Sequence, residues 1–134
     1  MNMLLVSHGG LSRGALEAYG MFAPGAEGVS ALGLTEEEGV DAFAAALAAK
    51  VEELVAQGDL LIVADLQGGT PYNQALIQAL TYPEHVRLAA GLNLPMLIEA
   101  GMLMSCGGSL DEVYQTALRA GAEGVVGTDL DDED

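Results

Sequence analysis

The chain is poor in the side chains that mark disulfide frameworks, metal clusters and nucleic-acid surfaces. A single cysteine, Cys106, stands among 134 residues. That excludes an internal disulfide framework, and no CxxC or structural-zinc pattern occurs. Tryptophan is absent and aromatics make up 4%, so the core must be built from Ala, Leu, Val, Ile and Met. Basic residues number four against 20 acidic ones, for a formal net charge of −16. Such a field repels nucleic acid and anionic lipid. It attracts a basic protein partner, and it is equally what a solubility or high-salt adaptation leaves. No apolar run approaches the roughly 20 residues needed to cross a bilayer. The start, Met1-Asn2-Met3, lacks the basic region and long apolar stretch of a signal peptide. A cytoplasmic, reducing location is the expectation.

What is present is apolar residue, at 51% of the chain, in a length that favours one domain. Residues 1–128 are expected to form it, and 129–134, with five acids in six positions, to be a solvated acidic tail. No linker, repeat or low-complexity stretch divides the chain.

Apolar runs at 3–7, 29–32, 59–64 and 86–90 read as strands. The run before Asp65 is continuous rather than alternating, which suits a central parallel strand covered on both faces. Helical spacing follows each strand. Ser12 is expected to cap a helix from Arg13 to about Met21, and Phe22-Ala23-Pro24-Gly25 breaks it. Thr35 with Glu38 reads as a capping box for a helix ending at Gln57. Thr70-Pro71 opens a helix to about Leu80, and Pro95 opens one to about Met104. Ser109 with Glu112 repeats the box for a last helix closed by Gly121. Val125-Val126 reads as a short terminal strand. This alternation predicts a doubly wound α/β fold with a mainly parallel sheet and helices on both faces. Met96, Met102 and Met104 read as packing residues, Cys106 as a small buried one and His85 as structural or exposed.

In such a sheet the carboxyl ends of the strands share one edge. His8 ends the first apolar run and is followed by Gly9-Gly10. Asp65 ends the third and leads into Gly68-Gly69-Thr70-Pro71. A carboxylate on one imidazole nitrogen fixes the tautomer and aims the other outward. Asp65 can do this for His8, whose free nitrogen could attack phosphorus, abstract a proton or bind a metal. The backbone around Gly9, Gly10, Gly68, Gly69 and Thr70 could bind an anion, with helix starts and the hydroxyls of Ser7, Ser12 and Thr70 as further donors. Arg13 could hold phosphate, pair with an acid or sit on a solvated face. Each element also has a plain reading as loop, turn or cap. Gly9-Gly10-Leu11-Ser12-Arg13-Gly14 does not match GxGxxG and no Walker lysine motif occurs. Two distant histidines make a weak metal case.

Three segments then carry a resemblance: Val6-Ser7-His8-Gly9, Ala64-Asp65-Leu66-Gln67-Gly68-Gly69-Thr70-Pro71-Tyr72-Asn73, and Gly91-Leu92-Asn93-Leu94-Pro95-Met96-Leu97. Over nearly its whole length the chain resembles the phosphoryl-carrier A domain (EIIA) of the mannose family of the bacterial sugar phosphotransferase system (PTS). The resemblance implies that His8 is phosphorylated on Nε2 by the histidine carrier HPr. It would pass the group to a histidine of the cognate EIIB component, and touch the membrane only indirectly, through the EIIC/EIID complex. Asp65 matches the orienting carboxylate and Thr70 a hydroxyl residue of the site. No metal or organic cofactor is implied. The family fold implies four parallel strands plus an antiparallel carboxyl-terminal edge strand, at Val125-Val126 here, exchanged with or laid against the partner in a homodimer. The acidic ending looks like that of a free-standing A subunit. Competing readings are a related domain that phosphorylates a dihydroxyacetone kinase, a small hydrolase or isomerase using His8 and Asp65, and a structural dimer.

Overall fold

The computed structural model describes residues 1–23 and 27–131. The break expected at Pro24-Gly25 and the end of the acidic tail lie outside the described residues. The elements run β1 (Asn2–His8), α1 (Leu11–Gly20), β2 (Val29–Leu34), α2 (Gly39–Val55), β3 (Leu60–Ala64), α3 (Thr70–Thr81), β4 (Val86–Ala90), α4 (Leu94–Ser105) and α5 (Leu110–Glu123). Among the described residues the four strands form one sheet in the order β2-β1-β3-β4, every pair parallel. The doubly wound α/β architecture expected from the alternation is therefore present.

The apolar runs of β1 and β3 are continuous because both faces of these strands are covered. Met3 and Leu5 of β1, with Leu61 and Val63 of β3, pack against Tyr19 of α1, Met96, Leu97 and Ala100 of α4, and Val113 and Ala117 of α5. The intervening Leu4, Val6, Leu60 and Ile62 pack on the other face against Phe43, Leu47 and Val51 of α2 and Ala75 of α3. Period-two alternation thus divides one strand between two cores.

Several boundaries differ from the sequence reading, each for a local reason. Ser12 is not the cap of α1. Gly10 holds that position without a side-chain bond, the helix starts at Leu11, and Ser12 is buried within the first turn. Thr35 does accept the N–H of Glu38 at 3.2 Å. Residues 36–38 nevertheless form a turn, and α2 begins only at Gly39, whose φ of +77° suits glycine. The helix stops at Val55, short of Gln57. Gly69 rather than Thr70 caps α3, and Asn93 caps α4 by accepting the N–H of Met96 at 3.1 Å. The capping box of α5 forms as expected, with bonds of 2.9 and 3.2 Å between Ser109 and Glu112. That helix runs past Gly121 to Glu123. Gly121 lies inside it and packs closely on α4, where a Cβ would fall 2.7 Å from Met96 Cε.

Among the described residues of the single chain the expected fifth strand is not present. Val125 and Val126 follow the end of α5 in irregular backbone and are 81% and 80% exposed. Within one chain they pair with none of the four strands. Cys106 is exposed rather than buried. Of the three methionines, Met96 is in the core, Met104 packs at its margin and Met102 is largely exposed.

Candidate functional site

Strand β1 lies between β2 and β3, so the chain leaves it to one side and returns on the other. The carboxyl ends of β1 and β3 therefore flank the point where the winding reverses, the usual crevice of such a sheet. His8 is the last residue of β1, opposite Leu34 at the end of β2. Asp65 follows β3 directly, its N–H bonded to Val6 O at 3.1 Å. The register brings the two side chains together: His8 Nδ1 lies 2.8 Å from Asp65 Oδ2. The backbone N–H of His8 donates to the same oxygen at 2.9 Å.

The imidazole is about half exposed, at 49%, whereas the carboxylate retains 8% of its surface. Burial alone would raise the Asp65 carboxyl. The backbone N–H of His8, its ring N–H and its positive charge when protonated outweigh that, and hold the group below its ordinary value of 3.8. The other oxygen, Oδ1, is enclosed and has no protein partner among the described residues. A carboxylate can only accept, so Nδ1 carries the proton and Nε2 keeps its lone pair.

Glycine shapes the turns on both flanks for two different reasons. Gly9 (φ +53°) and Gly68 (φ +85°) occupy left-handed backbone. Gly69 has ordinary dihedrals, but a Cβ there would lie 2.7 Å from His8 Cε1 and 3.3 Å from Nε2. Its backbone thus forms a close wall of the imidazole. Among the described residues no protein acceptor takes the N–H groups of Gly10, Leu11, Gly68 or Thr70. These unpaired donors stand in the two turns beside His8, at the starts of α1 and α3, where an anion is favoured.

Ser7 and Ser12 are not available as outward donors. Both are fully buried. The Ser12 hydroxyl donates to Leu32 O at 3.1 Å, and its backbone N–H donates to Ser7 Oγ at 2.7 Å. Thr70 is half-buried in the first turn of α3, beside the glycine wall. Arg13 does not line the cleft that contains His8. It faces an adjoining cleft of about 310 Å³ with Gly10, Gly33 and Glu38. The His8 cleft, about 470 Å³, is walled by Leu34, Thr35, Glu36, Gly39 and Val40. The sequence reading missed that wall. Ending the second strand at Leu32 and starting a helix at Thr35 hid a loop that lies beside His8. His85 stands outside the site: its Nδ1 pairs with Asp59 Oδ1 at 2.9 Å, both groups exposed, and residue 85 ends the loop before β4, at the opposite edge of the sheet.

Comparison with known proteins agrees with this geometry. The sequence pattern of the family described as "PTS system fructose IIA component" matches residues 2–118. The PTS system mannose-specific EIIAB component of Escherichia coli is 28% identical over 123 residues, covering 92% of this chain and 38% of that protein. The chain therefore spans under two-fifths of that relative. The mannose/sorbose specific IIA subunit from Enterococcus faecalis is 34% identical with a TM-score of 0.84, covering 96% of this chain and 95% of the other. The phosphotransferase system component EIIA from Streptococcus agalactiae is 25% identical with a TM-score of 0.83, covering 94% and 95%. No described helix is long and apolar enough to cross a membrane. The chain belongs to the mannose/fructose family of PTS EIIA components.

Proposed function

We propose that the chain is a phosphoryl carrier in sugar uptake, taking its phosphoryl group from phosphorylated HPr on His8 and passing it to the cognate EIIB component. Residues 1–128 are the carrier domain and 129–134 an acidic tail. The observation that carries this reading is the contact of His8 Nδ1 with Asp65 Oδ2 at 2.8 Å, which leaves Nε2 as the free nucleophile. Nε2 attacks phosphorus in line. The new N–P bond forms as the donor's N–P bond breaks, and its electron pair returns to the donor ring. The phosphorylated His8 ring, still protonated on Nδ1, gains positive charge that the adjacent carboxylate stabilises. Onward transfer reverses each change. Both ends are phosphoimidazoles, so the step is nearly isoenergetic.

The unpaired N–H groups of Gly10, Leu11, Gly68 and Thr70 support the same reading, as donors to the equatorial oxygens where charge develops. Gly9 and Gly69 let the backbone approach closely. Ser12 holds the turn from within. A half-exposed imidazole also suits a carrier, which must meet other proteins, better than a hydrolase or isomerase that encloses a small substrate.

The test is incubation with phosphoenolpyruvate, the first enzyme of the system and HPr, followed by intact mass measurement. One acid-labile, base-stable phosphoryl group is expected on the wild type and none on His8→Ala. An unmodified wild type overturns the carrier reading, and a modified His8→Ala overturns the residue assignment. We also read the protein as a homodimer. The support is the exposed Val125-Val126 pair together with the outer edge of β4, which no described strand covers. Light scattering that gives a monomer mass at high concentration would refute the dimer.

A further inference from the structure

Ser7 ends the apolar run of β1 and, like Leu4, Leu5 and Val6 before it, has no exposed surface. A hydroxyl buried there costs free energy unless it is hydrogen-bonded. Its oxygen accepts the N–H of Ser12 at 2.7 Å and it donates to Gly9 O at 3.4 Å. The Ser12 N–H is one of the first-turn donors that the residue before a helix ordinarily satisfies with its own side chain. In α1 that residue is Gly10, which has none.

We propose that Ser7 is a positioning residue for phosphoryl transfer, capping α1 from inside the sheet so that the outer end of the helix stays open for the phosphoryl group. A Ser or Asp at position 10 would place its oxygen at the helix start, where an anion has to sit. Capping by Ser7 satisfies Ser12 from the protein side and leaves the N–H groups of Gly10 and Leu11 unpaired. The second bond of Ser7 fixes the carbonyl of Gly9. Gly33 of β2 lies against that carbonyl, so closely that a Cβ at position 33 would overlap it. The N–H of Gly9 is tied to Leu34 O at 2.7 Å. The turn that follows the nucleophile is therefore held from both neighbouring segments, and among the described residues the Ser7 hydroxyl links the strand end to the helix start.

The inference rests on the carrier reading, and its test separates the two. Nuclear magnetic resonance of the wild type before and after phosphorylation by phospho-HPr should show the amides of Gly10 and Leu11 moving strongly and that of Ser12 hardly at all. A large shift at Ser12, or none at Gly10 and Leu11, overturns the proposal. Kinetics on the shape-matched pair Ser7→Thr and Ser7→Val then isolate the hydroxyl. The Thr variant should transfer at close to the wild-type rate. The Val variant should lose about tenfold or more in kcat with an unchanged KM for phospho-HPr, the signature of a misplaced acceptor. Equal rates for the two variants, or a loss confined to KM, overturn it. A wild type that takes up no phosphate would fail the carrier reading itself.

Discussion

Asp65 places two donors of one residue, the backbone and ring N–H groups of His8, on a single carboxylate oxygen. The contact fixes the tautomer and ties the ends of β1 and β3 together. Because the folded carboxyl lies below its ordinary value, its contribution to stability is complete above about pH 5 and is lost as pH falls through the lowered folded value. The difference in melting temperature between wild type and Asp65→Asn should therefore be constant from neutral pH down to about pH 5 and shrink in stronger acid. A gap that persists unchanged to pH 2 would show that charge is not its source. Gly69 gives a second prediction. Alanine there has acceptable dihedrals but drives its Cβ against the His8 ring. Gly69→Ala should lower the transfer rate by about a hundredfold with little change in melting temperature; a variant with normal transfer would place the ring elsewhere. His8 and Asp65 were legible in the sequence because each is a polar residue ending an apolar run before a glycine turn. The place of Ser12 was not, since its backbone partner is a hydroxyl on the preceding strand and local cap rules look only along the helix.

Elements meet here at small residues. Gly101 of α4 packs on the ring of Tyr19 in α1, and a Cβ at 101 would overlap the phenol. Tyr19 is 3% exposed, and burial raises the pKa of its hydroxyl. Alanine is the better helix former by about 1 kcal/mol, yet overpacking a filled core costs about 1–3 kcal/mol. Gly101→Ala should therefore destabilise in urea titration, and Tyr19→Leu in the same chain should restore much of the loss. A stabilised single variant would show that α1 and α4 can part at no cost. Helix existence was readable from spacing throughout; the start of α5 was too, from its capping box, whereas the starts of α1 to α4 lie one to three residues from where local signals put them. At Thr35 the local signal is real, since the hydroxyl does take the N–H of Glu38. It closes a turn rather than a helix, because the backbone passes through the left-handed region at Gly39 (φ +77°) before α2 continues. The fifth strand is a different case: it is expected against a partner subunit, and within the one described chain Val125-Val126 pair with no strand. Strand formation needs a neighbouring edge, and no pattern within residues 125–126 specifies where one lies.

For the molecule as a whole, 20 acids against four bases act on encounter rather than on chemistry. Lys50 and Arg119 are paired with glutamates, and Arg87 donates to backbone carbonyls. Among the described residues Arg13 makes no ion pair, so the cleft beside the site holds a cation within a negative field. If the donor presents a basic face, the second-order rate of transfer should fall about tenfold between low salt and about 0.5 M, with the rate inside the complex unchanged. A flat salt profile would assign the charge to solubility alone. The depressed carboxyl of Asp65 has a practical corollary. The isoelectric point read from the sequence lies near 4.1, where molecules cease to repel one another, while the Asp65 carboxyl is held below its ordinary value. Turbidity should thus appear before the imidazole loses its anchor, and a curd collected at that pH and redissolved at neutrality should resume phosphate exchange undamaged.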